Sequence, residues 1–264
     1  MSARLSWEEA VRWFRGQPGN EEAVRANYFD LPVRQAAERY ATSEEFAEVW
    51  RLLGASGHIL DLGAGNGVAS FALARAGWQV TALEPDPSDE VGAGAIRKLG
   101  IAVTEDAGER LPFADATFEA VFARQVLHHV PDLAQTMREL HRVLRPEGVV
   151  LAIREHVVRD ARELAAFRAQ HPLHRHYGGE NAHSLDAYLG AARAAGFTIR
   201  EVWGPIESIL NFAPGSEVER QRWVRHAKWR HWCGLGWLFQ RAALRANSRR
   251  NRTPGRLYSF LLAK

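Results

Sequence analysis

Short runs of apolar, mostly β-branched residues alternate with amphipathic helical stretches between His58 and Arg154. This alternation is typical of a parallel sheet whose crossover helices cover both of its faces. The strands that the pattern predicts are His58–Leu62, Gln79–Glu84, Ile101–Thr104, Phe118–Ala123 and Gly148–Arg154. The predicted fold class is therefore α/β.

Helical patterns precede this region. In residues 1–54, Ser6 is a predicted N-cap, and a second helix is predicted to begin after Ser43 and to end at Gly54. The apolar face of the first helix consists of Trp7, Val11 and Phe14. Between the fourth and fifth strands, Asp132 is predicted to cap a helix that ends at Arg145–Gly148. The buried stripe of that helix is predicted as Leu133, Met137, Leu140 and Leu144.

The part of the chain after the fifth strand divides into further segments. Residues 155–181 are rich in His and Arg, and a helix Ser184–Ala195 and a strand Phe197–Trp203 follow them. A last strand is predicted at Arg256–Leu262. Residues 204–254, which separate these two strands, are too long for an ordinary loop and are predicted to contain helices of their own.

Composition and charge narrow the class of protein. Of the 264 residues, 46% are hydrophobic and 25% charged, as in an ordinary globular chain. Cys233 is the only cysteine, which excludes an internal disulfide and a cysteine zinc cluster. No signal-peptide layout and no apolar run of about 20 residues occur, so we expect a cytoplasmic protein without a transmembrane segment. Residues 201–264 carry a net charge of +8, whereas the rest carries −5, which favours an anionic partner for the C-terminal quarter.

A glycine-rich turn follows the first predicted strand directly. Gly63, Gly65 and Gly67 lie between this strand and a predicted helix Val68–Ala76, where backbone N–H groups can approach a ligand closely. The dinucleotide pattern G-x-G-x-x-G would require glycine at Val68, which disfavours a nicotinamide oxidoreductase. The second strand ends at Glu84, whose carboxylate can accept from both ribose hydroxyls, and Asp106 after the third strand can accept from an adenine amino group.

Together these motifs resemble the class I S-adenosylmethionine-dependent methyltransferases, of the small-molecule type called methyltransferase type 11. The resemblance covers Ile59–Val157 and includes the glycine turn, Glu84, the stretch Asp106–Phe113, the stretch Phe118–Val130 and the run Arg138–Gly148. It implies a Rossmann-like, seven-stranded, mostly parallel sheet with helices on both faces and an antiparallel last strand. It further implies a methyltransferase domain over residues 55–264, with residues 1–54 as a cap over the active site and residues 155–181 as a lid.

The resemblance also implies a set of cofactor-binding residues for S-adenosylmethionine and its product S-adenosylhomocysteine. Asp61, Gly63 and Gly65, with Ala64 between them, would contact the methionine part. Glu84, which Pro85 follows, would bind the ribose, and Asp106 with the Ala107 backbone the adenine. Arg124 and Gln125 would lie beside the sulfonium and the methionine tail.

Histidines and a tyrosine near the expected acceptor are the candidate catalytic residues. His156 after the fifth strand is the preferred general base, and His128 after the fourth strand is a further catalytic candidate. We expect His129 to pack within the fold. In the predicted lid, Tyr177 or His174 could reach the acceptor. The spacing of His171, His174 and His176 is not that of a compact ligand set, so no metal is predicted.

Residues 220–245 combine aromatic side chains with cations. The residues concerned are Trp223, Trp229, Trp232 and Trp237, and Arg222, Arg225, Lys228, Arg230 and Arg241. Such a mixture suits an acidic or lipid-linked small substrate, an anionic membrane surface or a nucleic acid, and equally a helical pair or an oligomer interface such as that of a homodimer. Gly234 and Gly236 interrupt a long amphipathic helix, which weakens the membrane interpretation.

The function predicted from the sequence is S-adenosylmethionine-dependent methylation of a small molecule, at oxygen, in a biosynthetic or tailoring pathway. The first alternative is an RNA methyltransferase that uses the basic C-terminal quarter, which requires salt-sensitive RNA binding. The motif of amino-directed nucleic-acid methyltransferases is absent after the fourth strand, where Ala123–Leu127 stands instead. A cofactor-binding regulatory protein without catalysis is the second alternative.

Overall fold

The computed structural model describes residues 4–54, 56–228, 244–246, 248 and 250–264, with side chains omitted at 225–228. The strands are β1 (Gly57–Leu62), β2 (Trp78–Leu83), β3 (Val103–Thr104), β4 (Phe118–Arg124), β5 (Leu144–Val157), β6 (Thr198–Trp203) and β7 (Arg256–Ala263). The helices are α1 (Trp7–Arg15), α2 (Glu21–Ala26), α3 (Val33–Ala41), α4 (Glu44–Leu53), α5 (Val68–Arg75), α6 (Ala93–Lys98), α7 (Leu133–Val143), α8 (Ala161–Gln170), α9 (His174–Tyr177), α10 (Leu185–Ala194) and α11 (Glu217–Lys228). A short 3₁₀ helix covers Ile209–Asn211.

The strands form one sheet in the order β3-β2-β1-β4-β5-β7-β6. Neighbouring strands from β3 to β5 pair in parallel, whereas β7 is antiparallel to both β5 and β6. This confirms the predicted α/β class and the antiparallel last strand. The chain leaves β1 toward β2 and β3 and then returns to β4 on the other side, so the order reverses between β1 and β4. Open α/β sheets bind their ligands beyond the carboxyl ends of the strands at this type of switch point.

Side-chain caps fix the starts of several helices. Ser6 and Glu9 form a reciprocal capping box at α1, and Ser43 and Asp132 accept backbone N–H groups at α4 and α7, as predicted. The end of α7 differs from the prediction, because Leu144 is extended (φ −75°, ψ 143°) and begins β5 instead of closing the helical stripe. Pro146 disfavours helical backbone at the residue before it, which accounts for the early end.

Apolar side chains cover both faces of the sheet. One layer joins α7 and α10 to the sheet through residues such as Met137, Leu140 and Tyr188. The other joins α3, α4 and α5 through residues such as Tyr40 and Phe71. A third cluster of α1 side chains packs against Leu173, which brings the N-terminal helices and residues 155–181 to the same end of the sheet.

The segment 204–254 is described only in part. It contains the short 3₁₀ helix and α11, on which Trp223 is exposed. The predicted cluster members Trp229, Arg230, Trp232, Trp237 and Arg241 lie outside the described residues, as do Cys233, Gly234 and Gly236. Within the part of the chain that the structure describes, no helix has the length and apolar character needed to cross a membrane.

Candidate active site

A cavity of about 430 Å³ lies at the switch point, between the carboxyl ends of the strands and the N-terminal helices. Its wall brings together most of the residues that the sequence analysis selects. These are Asp61, Gly63, Ala64, Gly65, Glu84, Pro85, Arg124, Gln125, His128, His156 and Tyr177. Trp7 and Phe14 of α1 line the opposite side, which is where a cap would contact a bound ligand. The wall does not include Asp106, Ala107 or His174.

The glycine turn is shaped by close backbone packing. Gly63 has φ +60°, and a Cβ on it would lie 2.1 Å from Cγ2 of Val126, so no side chain fits there. Gly65 has φ +56°, but the nearest atom to a Cβ on it is the Val91 carbonyl oxygen at 3.9 Å. The glycine at position 63 is therefore required by the fold, whereas the space at position 65 belongs to the cavity wall.

Glu84 is held by the turn that it faces. Its Oε2 accepts from the Gly65 backbone N–H at 2.7 Å, and its Oε1 accepts from the Asp86 N–H at 2.9 Å. Burial raises the pKa of Glu84, and these two hydrogen bonds oppose that rise. The carboxylate is thus fixed at the end of β2 beside the glycine turn, which suits a ligand with adjacent hydroxyl groups. Asp106, by contrast, is exposed, and its Oδ1 accepts from the Ala107 N–H at 2.7 Å.

Asp61 ends β1 beneath the turn and is almost fully buried. Its Oδ2 accepts from the Ser70 hydroxyl at 2.5 Å. Burial raises the pKa of Asp61 to about 7, although the Ser70 hydrogen bond acts in the opposite direction. The side chain therefore gains or loses its negative charge near neutral pH.

The resemblance places Asp61 beside the methionine part of S-adenosylmethionine and S-adenosylhomocysteine, and on that assignment we expect the affinity for S-adenosylhomocysteine to rise with pH through about 7. Below this pKa, Asp61 is neutral and must lose a proton before it can attract a cationic ammonium group, so binding at pH 6 should be roughly tenfold weaker than at pH 8. Calorimetric titrations at both pH values measure the effect. In Asp61→Asn the affinity should be weaker and independent of pH, and an unchanged pH dependence in this variant would contradict the assignment.

Arg124 belongs to a buried ion cluster that sequence reasoning missed. Its Nε lies 2.7 Å from Oε1 of Glu45 on α4, and the guanidinium of Arg154 lies 3.4 Å from Oε2 of the same residue. The Arg124 guanidinium also lies over the rings of Tyr28 and Tyr40, each at 5.6 Å. Glu45 thus offsets a positive charge in the cavity wall and ties the N-terminal helices to β4 and β5. A glutamate on the apolar side of a predicted helix is the only sequence signal for it.

The two histidines after β4 lie in different environments. His128 is buried, with 1% of its surface exposed, whereas His129 is exposed, so the expectation that His129 packs within the fold is wrong. The reason is Glu155, which lies on the neighbouring strand β5. Its carboxylate accepts from the backbone N–H groups of Val126, Leu127 and His128 at 3.0–3.1 Å and draws this turn inward.

His156 lies in the cavity wall with one defined tautomer. Its Nδ1 lies 2.7 Å from the Gly255 carbonyl oxygen, which can only accept, so Nδ1 carries the proton and Nε2 is left as a base. The ring packs against Phe167, with 4.7 Å between centroids. Burial lowers the pKa of His156, so the imidazole is neutral at pH 7.

The predicted lid residue Tyr177 faces the cavity, whereas His174 does not. The Tyr177 hydroxyl donates to Glu180, and its ring lies 4.8 Å from that of Trp7. Burial and the Glu180 charge raise the pKa of Tyr177, so it keeps its proton and can donate but not act as a base. Because His174 lies outside the cavity wall, its predicted approach to the acceptor has no support in the structure.

The switch-point cavity and the glycine turn define a nucleotide-binding α/β protein, and comparisons with known proteins identify the family. A family model described as a methyltransferase domain matches residues 60–152. An uncharacterized methyltransferase of Mycobacterium marinum is 30% identical over 191 residues, which cover 66% of this chain and 68% of that protein. An uncharacterized methyltransferase of Mycobacterium sp. (strain JLS) is 35% identical over 137 residues, or 52% of this chain, and the match spans about half, 47%, of that protein. The chain belongs to the class I S-adenosylmethionine-dependent methyltransferases.

Solved structures share the fold at lower identity. An S-adenosylmethionine-dependent methyltransferase from Mesorhizobium loti has a TM-score of 0.58 and 15% identity, with 85% of this chain and 100% of that chain covered. Geranyl diphosphate C-methyltransferase from Streptomyces coelicolor, solved with S-adenosylhomocysteine, has a TM-score of 0.58 and 14% identity, with 97% and 84% covered. These likenesses extend the shared fold beyond residues 60–152 to nearly the whole chain.

Proposed function

We propose that the protein transfers a methyl group from S-adenosylmethionine to an oxygen atom of a small-molecule acceptor bound in the switch-point cavity. The observation that carries the proposal is that His156 lies in the same cavity wall as the glycine turn and Glu84, while its Nδ1 hydrogen bond to Gly255 leaves Nε2 as a base. An imidazole of fixed tautomer is suited to take a proton from a hydroxyl group. A ubiquinone biosynthesis O-methyltransferase of Methylocella silvestris, 39% identical over 97 residues that cover 36% of this chain and 38% of that protein, agrees with an oxygen acceptor.

The residues of the cavity fit the cofactor that the family uses. The space that a Cβ at Gly65 would fill is open and belongs to the cavity wall, and Glu84 offers a fixed carboxylate for a ribose. Bound S-adenosylmethionine would supply an electrophilic methyl group: an electron pair of the acceptor oxygen would form the new bond to the methyl carbon as the carbon–sulfur bond breaks, and the sulfur would become a neutral thioether.

The chain's own residues align the acceptor and receive its proton. His156 Nε2 accepts the hydroxyl proton, and the Gly255 carbonyl stabilises the resulting imidazolium through Nδ1. Trp7, Phe14 and Tyr177 cover the cavity from the side opposite the strands and exclude water from the reacting atoms. The assignment of residues 1–54 as cap and 155–181 as lid is part of this proposal. A cytoplasmic location and a homodimer remain predictions.

We expect His156→Ala to lower turnover by about 10²- to 10⁴-fold, because the general base is lost. Its dissociation constant for S-adenosylhomocysteine should stay within about twofold of wild type. The measurement is methyl transfer to hydroxylated metabolites, with an acceptor first chosen by screening the wild-type protein. His141→Ala, a histidine on α7 outside the cavity wall, is the matched control.

The competing functions predict different results in the same screen. Salt-sensitive binding of bulk RNA, with methyl transfer to RNA, would replace the small-molecule proposal by the RNA alternative. Equal turnover in wild type and His156→Ala would remove His156 from the mechanism. Binding of S-adenosylhomocysteine without methyl transfer to any acceptor pool would favour the regulatory alternative.

A further inference from the structure

Three side chains with metal-binding atoms converge in the wall of the cavity. Each of His128, His129 and Glu180 offers one potential ligand atom, and these three atoms all lie within 4.8 Å of one another. All three residues line the cavity that also contains His156. The histidines follow β4 and the glutamate follows the short helix α9, so the fold brings together residues about 50 positions apart in the sequence.

We propose that His128, His129 and Glu180 form a binding site for one divalent transition-metal ion of the zinc type. Two imidazoles and one carboxylate with free coordination positions are a donor set that holds catalytic Zn²⁺. Ligand atoms around a tetrahedral Zn²⁺ lie about 3.3 Å apart, so the three ligand atoms must approach one another by at most about 1.5 Å to close the site. The sequence spacing of His171, His174 and His176 predicts no metal, and among the described residues their side chains do not form such a group.

The outer contacts of both imidazoles prepare them to bind a metal. His128 Nδ1 lies 2.8 Å from Oε2 of Glu155, and His129 Nδ1 lies 3.2 Å from the Gly179 carbonyl oxygen. Both partners are acceptors, so Nδ1 carries the proton on each ring and Nε2 retains its lone pair. Histidine ligands of metals are oriented in this way, with the second ring nitrogen donating to a carboxylate or a backbone carbonyl.

The surroundings of Glu180 add to the site. Its side chain is 5% exposed, and the Tyr177 hydroxyl orients it by donating to Oε1. His171 Nδ1 lies 3.6 Å from the same oxygen, and among the described residues this buried nitrogen has no hydrogen-bond partner. A third imidazole thus lies beside the carboxylate, where it can join the coordination or bind a ligand of the ion.

The metal site would give residues 155–181, the lid, a specific role in methyl transfer. This role rests on the proposed function. An ion held between the β4 turn and Glu180 would couple ordering of the lid to binding of an acceptor through its oxygen atoms. It would also lower the pKa of an acceptor hydroxyl next to His156, since a bound cation stabilises the conjugate base. The expected acceptor class is therefore a hydroxylated molecule with a second oxygen nearby, which can chelate the ion.

The test is equilibrium binding of Co²⁺ to the metal-free full-length protein, followed by its visible absorption, and displacement by Zn²⁺ followed by calorimetry. We expect one ion per chain, with visible bands of four- or five-coordinate Co²⁺. His129→Ala and Glu180→Gln should each weaken binding more than about 100-fold, and Glu155→Gln by about 10- to 100-fold through loss of the contact that orients His128. His141→Ala, which changes a histidine outside the group, should bind as wild type does.

Binding of less than one ion per chain, or equal affinity in His129→Ala and wild type, would overturn the proposal. His129 is exposed, so this variant is expected to fold, and circular dichroism and thermal unfolding are the measurements that check its folding. Titration with S-adenosylhomocysteine separates the two proposals. Metal binding without binding of S-adenosylhomocysteine would refute the proposed function but not the metal site. Binding of S-adenosylhomocysteine without metal binding would refute the metal site alone.

Discussion

Gly65→Val should bind S-adenosylhomocysteine at least about 100-fold more weakly than wild type, a loss of roughly 2.7 kcal/mol, while the protein stays folded. The Gly65 N–H donates to Glu84, and a Cβ at this position would have, among the described residues other than those adjacent in the chain, no neighbour closer than the Val91 carbonyl oxygen at 3.9 Å. The valine would therefore be accommodated by the protein but would occupy space at the cavity wall. Calorimetric titration measures the affinity, and thermal unfolding measures the stability.

A matched control separates this effect from backbone strain. Gly100 has φ +78° and an open surface around its Cβ position, so Gly100→Val introduces the same side chain into left-handed backbone far from the cavity. Both variants should lose about 1–3 kcal/mol of stability through strain, but only Gly65→Val should lose the ligand. Equal ligand affinities in the two variants would contradict the placement of the cofactor beside the turn. At Gly63 the experiment would be uninformative, because a Cβ meets Val126 and disturbs the fold itself.

Local sequence signals predicted the sheet and the helix starts well. The caps Ser6, Ser43 and Asp132 act through backbone N–H groups three residues away, so the sequence alone contains all that they require. The family resemblance implies the seven-stranded, mostly parallel sheet with its antiparallel last strand. The end of α7 was mispredicted because the apolar period continues to Leu144, whereas the backbone preference before Pro146 ends the helix.

The site was predictable only where its residues are close in sequence. The glycine turn and Glu84 lie at consecutive strand ends and are visible as a motif. Glu45, Glu155 and Glu180 act on side chains that are 79, 27 and about 50 positions away, and no spacing rule connects them. Their partners become evident only when β5 pairs with β4 and when α4 and α9 are packed over the sheet. The histidines after α8 do not form the group, whereas the adjacent His128 and His129 form it with Glu180, about 50 positions away.

Glu45→Ala should lower the free energy of unfolding by about 3–5 kcal/mol, because it leaves the Arg124 and Arg154 guanidiniums buried without their carboxylate. The thermal midpoint should fall by on the order of 10 °C. Burial acts to raise the pKa of Glu45, but the two guanidiniums outweigh it and hold the pKa below 4.5. The stability contribution is therefore complete at neutral pH and is lost as the pH falls through the pKa in the folded state. Urea unfolding at pH 7 and below pH 4.5 measures both effects.

Glu48→Ala is the matched control on the same helix. Glu48 pairs with Arg51 at 2.7 Å, but 63% of the Arg51 side chain is exposed, so this ion pair is screened by solvent and contributes less than about 1 kcal/mol. Loss of Glu45 should in addition weaken S-adenosylhomocysteine binding, since an uncompensated Arg124 in the cavity wall repels the ligand's ammonium group. If Glu45→Ala and Glu48→Ala unfold at the same urea concentration, the buried cluster does not anchor the N-terminal helices. If Glu45→Ala loses stability but keeps its ligand affinity, the cluster anchors the cap without tuning the charge of the site.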